Sequence, residues 1–135
     1  MERVTVLHED KWGSVIDRMP AGYLEIRWFD STDEMTKDEF QDWLTMFAEE
    51  VGANRRPAIL VDATRFGMPM DNMDGSWRDE HVIPRYNAAG VRRFAFLMPD
   101  GMPAIGSEPT TEGPSEYVVG YFSRRQDALD WLAEA

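Results

Sequence analysis

Pro57-Ala58-Ile59-Leu60-Val61-Asp62 is a continuous apolar run, closed by proline on one side and a carboxylate on the other. A run this short, rich in branched residues and without alternation, reads as a central strand covered on both faces. Phe94-Ala95-Phe96-Leu97-Met98 reads in the same way. Between them lie a loop over 64–75 and a helical stretch over about 76–88. Ser76 and Asp79 are placed to cap that helix, Gly90 to end it, and Pro84 to kink or split it, because proline removes an interior hydrogen bond. Two buried strands joined through a helix predict a parallel pair with helical cover.

Working outward toward the amino terminus, the helix before Pro57 is strongly specified. Phe40, Trp43, Leu44, Phe47, Ala48 and Val51 recur at helical spacing and form one apolar stripe. Thr36 and Glu39 fit a capping box, Met35 and Phe40 a hydrophobic staple, and Gly52 is the expected stop. Further back, Tyr23 to Phe29 alternates, with Leu24, Ile26 and Trp28 on one face and Glu25 and Arg27 on the other. That pattern predicts a strand near a sheet edge with one wet face. Met19-Pro20-Ala21-Gly22 is a turn signal, and residues 3–7 and 12–17 give two further short strands, antiparallel to each other. Toward the carboxyl terminus, 99–115 is a long loop rich in Pro, Gly, Ser and Thr. Residues 117–122 form the last strand. Ser123 with Gln126 suggests a second capping box, before a short helix lined by Ala128, Leu129, Trp131 and Leu132. The expected fold is α/β: one domain over 1–135, with a mixed, mostly parallel sheet of about five strands and helices on its faces.

Composition narrows the function. The chain has no cysteine, which excludes disulfides, thiolate metal sites and a cysteine nucleophile. Its formal charge is −11, from 25 acidic and 14 basic residues. The pairs Arg55-Arg56, Arg92-Arg93 and Arg124-Arg125 are scattered, so neither nucleic acid nor an anionic membrane surface is an expected partner. No run approaches the roughly 20 apolar residues of a membrane span. The opening Met1-Glu2-Arg3-Val4 does not read as a signal peptide, so the expected location is the cytoplasm.

The order and spacing of several short segments resemble the SpoIIAA-like branch of the STAS superfamily. They are Gly52, Arg55-Arg56, Ile59-Leu60-Val61-Asp62, Gly90-Val91-Arg92-Arg93 and Phe122 followed by Ala128-Leu129-Asp130-Trp131-Leu132. The resemblance implies a non-enzymatic regulatory or binding domain, recognising a protein partner or a small apolar or lipid-like ligand. Anti-sigma-factor antagonists of that superfamily carry an Asp-Ser-Ser-Gly-like motif whose serine is phosphorylated. Here Met73-Asp74-Gly75-Ser76-Trp77 stands at the comparable place, with glycine at the modified position. Ser76 is therefore the candidate phosphorylation site, with a plain helix N-cap as its other reading.

Other chemistry finds little support. Ser76 and His81 are five residues apart, so on one helix they do not share a face, and no Gly-x-Ser-x-Gly elbow occurs. A small hydrolase built near Asp62, Ser76 and His81 is the alternative reading. A calcium loop around Gly75 would put Met70 and His81 at ligand positions that should be acidic. No Gly-rich phosphate loop is present, so no cofactor or metal is expected. The methionines are more suggestive. Met68, Met70 and Met73 follow one central strand, and Met98 and Met102 the other. Carboxyl ends of parallel strands meet on one edge, where open α/β sheets bind ligands, and methionine suits adaptable apolar surfaces. With Asp62, Thr64 and Trp77 these residues form the candidate ligand or partner surface; gap-filling core methionine is the alternative reading. A homodimer is a further form that this reading allows.

Overall fold

The computed structural model describes residues 3–68, 75–99 and 110–134. Six strands form one sheet in sequential order: β1 (Arg3–Glu9), β2 (Gly13–Met19), β3 (Tyr23–Trp28), β4 (Ala58–Asp62), β5 (Arg93–Leu97) and β6 (Val118–Phe122). The first three make an antiparallel meander, and β3 to β6 run parallel. The sheet has six strands, one more than the sequence pattern suggests, because both N-terminal segments join it.

Helices cover both faces. Between β3 and β4 runs α1 (Lys37–Asn54), and between β4 and β5 run α2 (Gly75–His81) and α3 (Ile83–Ala89). These pack over Leu24, Ile26, Ile59, Val61, Phe94 and Val119 in the larger core. The final helix, α4 (Arg125–Leu132), covers Tyr23, Ala58, Leu60, Ala95 and Leu97 on the other face with Ala128 and Leu132. Both central strands are thus buried on both sides, as their continuous apolar runs require.

The helix signals hold in part. The Thr36–Glu39 capping box forms, with Glu39 N–H donating to Thr36 Oγ1 at 3.2 Å and Thr36 N–H to the Glu39 carboxylate at 2.9 Å. Pro84 separates α2 from α3 at Val82, and Gly90 closes α3 at φ 88°. Three expectations need correction. Gly52 lies inside α1, which runs to Asn54 and ends at Arg55 with φ 50°. The Asn54 side-chain amide donates back to Glu50 O at 2.8 Å, and Arg55 N–H donates to Val51 O at 2.9 Å. Ser76 is in the first turn of α2 rather than before it. The last helix starts at Arg125, with Arg124 at its N-cap position and no side-chain cap, so the Ser123–Gln126 box does not form.

The larger correction concerns β3. It lies between β2 and β4, not at an edge, and Glu25 on its supposedly wet face is fully buried. Arg18 Nε donates to Glu25 at 2.8 Å, Arg27 Nη2 donates at 3.1 Å, and Arg125 from α4 closes the same carboxylate. Burial of a carboxylate is tolerable when charged donors replace its water.

At the opposite edge, β1 carries a bulge. Val6 pairs with Ile16, but His8, not Leu7, pairs with Val15. His8 Nε2 meets Asp10 at 2.6 Å, and its ring lies edge-on to Trp43 at 6.1 Å. Asp10 also accepts from the Trp12 and Gly13 backbone and from Trp43 Nε1, tying the β1–β2 turn to α1. Val4 and Val6 remain 51% and 56% exposed.

Candidate functional site

On a strand, alternate residues share a face. At the carboxyl ends of the central strands the face beneath α1 and α3 therefore presents Ile26 and Trp28 from β3, Val61 from β4, Phe94 and Phe96 from β5, and Tyr121 from β6. Ala63, Phe66 and Met98 continue from the strand ends, and Phe40 and Leu44 of α1 close one side. Together they line a largely apolar cleft of about 340 Å³. Its walls are held by ring contacts. Phe96 stacks on Tyr121 at 5.3 Å, Trp28 meets Phe66 at 5.0 Å, and Phe66 meets Phe40 at 5.9 Å.

One end of the cleft is polar. Arg78 of α2 donates through both terminal nitrogens to the Glu112 carboxylate, at 3.2 and 3.0 Å. Tyr117 Oη donates to the same carboxylate at 2.6 Å. Ser115 Oγ accepts from Glu112 N–H at 3.0 Å and donates to Tyr117 O at 2.9 Å, which fixes the loop that carries the carboxylate. Burial works against the Arg78 charge, but the Glu112 carboxylate outweighs it and holds the arginine pKa above its ordinary value. Burial and the neighbouring Glu112 charge both push the Tyr117 hydroxyl up, so it stays protonated as a donor.

Tyr86 of α3 lies beside this pair and also lines the cleft. The residue is 1% exposed, packed against Phe47, Phe94 and Tyr117. Burial raises its pKa, so it too stays protonated. Among the described residues its hydroxyl makes no hydrogen bond, and none of their side-chain polar atoms is both sealed off and unpaired. The hydroxyl therefore opens onto the cleft.

Of the residues read from the sequence as a single surface, the described ones do not all face one space. Met98 lines the cleft. Met68 is buried in the larger core, the gap-filling alternative. Met70, Met73 and Met102 lie outside the described residues. Trp77 is half-buried against the larger core and stacks loosely on His81 at 5.5 Å, without lining the cleft. Asp62 projects to the opposite face, because it is one residue out of phase with Val61. There it accepts from Thr64 N–H and Oγ1, at 3.1 and 2.6 Å, and lies 3.8 Å from Arg125. Thr64 is exposed and engaged in that turn.

The hydrolase residues do not converge. Asp62 is across the sheet from α2, and the His81 side chain is 58% exposed with Glu80 at 3.9 Å. Ser76 is exposed on α2. Among the described residues, no group of three or more His, Asp or Glu side chains could hold a metal ion, and no helix is long and apolar enough to cross a membrane.

Sequence reasoning missed Phe66, Arg78, Tyr86, Phe96, Glu112 and Tyr121. Strand alternation carries a signal for Phe96 and Tyr121. No local signal pairs Arg78 with Glu112, 34 residues apart. No known protein family, curated protein or solved structure matches the chain.

Proposed function

We propose that the chain is a non-enzymatic binding domain of the SpoIIAA-like, STAS type, and that it takes a small apolar ligand into the cleft at the carboxyl ends of β3 to β6. The observation that carries this reading is the cleft itself. Its volume of about 340 Å³ lies at the low end of the roughly 300–1,000 Å³ of small-molecule sites. Its apolar wall with one cluster of polar groups matches how such sites combine burial with orientation. The sequential order of strands and crossover helices agrees with the resemblance noted in the sequence. Ser76, exposed in the first turn of α2, is accessible to a kinase, as a phosphorylated switch of that superfamily would require. The hydrolase alternative has no comparable support, since Asp62 lies on the other face of the sheet.

The test is a titration of ¹⁵N-labelled protein with 2-acetylnaphthalene, followed by two-dimensional NMR. Saturable shifts centred on Trp28, Phe96 and Tyr121 are expected. Ala63→Leu, which fills the cleft from its wall, removes them while the rest of the spectrum stays folded. Absence of saturable shifts in the wild type defeats the reading.

A further inference from the structure

The cleft has a polar end whose chemistry selects the ligand. This step rests on the apolar-ligand reading above and adds a head group to it. Three observations define that end. Arg78 and Glu112 neutralise each other in a two-point ion pair, so the end has no net charge. The Glu112 carboxylate is already occupied by Arg78 and by Tyr117 Oη. Tyr86, almost wholly buried, turns an unpaired hydroxyl toward the same space.

A ligand that fills the cleft seals the Tyr86 hydroxyl from water; a donor sealed without a partner is costly, so the site discriminates for a ligand that supplies the acceptor. A ligand carboxylate would satisfy the donor but would give up its water without a free cation to receive it, since Arg78 is already paired with Glu112. A wholly apolar ligand would seal Tyr86 from water with nothing to receive its proton. The geometry points to an uncharged ligand, a compact ring system or short hydrocarbon, bearing one carbonyl-type oxygen that accepts a hydrogen bond from Tyr86 Oη.

Three naphthalenes of nearly equal shape test this: 2-acetylnaphthalene, its oxygen-free isostere 2-isopropenylnaphthalene, and 2-naphthoate. Dissociation constants are measured by NMR titration for the wild type and for Tyr86→Phe, whose melting temperature is recorded alongside. In the wild type the ketone binds about five-fold more tightly than the isostere, the worth of one net neutral hydrogen bond, and naphthoate binds weakest. In Tyr86→Phe, ketone and isostere bind alike, and the isostere binds at least as well as to the wild type. Equal affinity of ketone and isostere in the wild type overturns the head-group assignment while the apolar cleft stands. So does a ketone preference that survives Tyr86→Phe, or naphthoate binding tightest. If none of the three binds saturably, the cleft reading and the head group fall together.

Discussion

Replacing Glu25 by glutamine should be among the most damaging single changes in this chain. The carboxylate is fully buried and receives Arg18, Arg27 and Arg125. Hydrogen bonds to a charged group contribute about 1.5–3 kcal/mol each. The three do not count equally, because the Arg18, Arg125 and Arg27 side chains are 15%, 33% and 44% exposed. Arg27 resembles a surface partner, worth about 0.5 kcal/mol. The other two would contribute about 3–6 kcal/mol together, reduced because guanidinium groups regain water when released. A loss of about 3–4 kcal/mol follows, within the range for breaking a buried pair. Glutamine should not rescue it, since its amide would point a donor at a guanidinium. For a domain of this size that loss lowers the melting temperature by about 12–16 °C. Urea unfolding, followed through the tryptophans, gives the number directly. Arg27→Ala is the internal control and should cost under about 1 kcal/mol. Amide exchange in α4 should also quicken in Glu25→Gln, because Arg125 loses its anchor. A Glu25→Gln variant within about 1 kcal/mol of wild type, or an Arg27→Ala variant equally damaged, would refute the reasoning.

Two glycines should respond in opposite directions. A Cβ on Gly52 meets nothing within 4 Å in the interior of α1, so Gly52→Ala should stabilise by about 0.5–1 kcal/mol in urea unfolding. A Cβ on Gly13 would lie 2.6 Å from the Arg27 carbonyl oxygen, a backbone atom held by the sheet, so Gly13→Ala should cost about 2 kcal/mol or more. The Arg56 guanidinium donates twice to Asp17, at 2.9 Å each, and holds its carboxyl below the usual range. A depressed folded pKa stabilises above the unfolded value, near 3.9, and that contribution is lost as pH falls through the folded value. The stability gap between wild type and Asp17→Asn should therefore stay level from about pH 7 to 5 and close below about pH 4. A gap unchanged at pH 2 would contradict the pairing.

Much of this architecture was legible because apolar runs and helical stripes report burial directly. Ile59 to Val61 and Phe94 to Leu97 are hydrophobic throughout since each strand is covered twice. The Thr36–Glu39 box marks a helix start by local chemistry alone. Glu25 misled because alternation separates polar from apolar without saying what solvates the polar side. Here the solvent is guanidinium, one of them 100 residues away in sequence. The cleft was partly legible for the same reason. The carboxyl edge follows from parallel pairing, and of the methionines read onto it Met98 lines the cleft while Met68 is packed in the core. Asp62 and Val61 are neighbours in sequence and lie on opposite faces of the sheet, so proximity along the chain misplaced the acid.

The bulge at Leu7 has a consequence for how copies of this chain meet. An outermost strand offers open peptide groups to any passing strand. Without the extra residue β1 would continue its regular pairing past Val6, with His8 following Val6 directly, still opposite Val15 and still facing Trp43. A straighter, uninterrupted outer ribbon would result, with Val4 and Val6 still exposed along it. The irregularity thus acts as a spoiler against stacking. Deleting Leu7 should make light scattering climb more steeply with concentration than it does for the intact chain, even if the rest of the sheet survives.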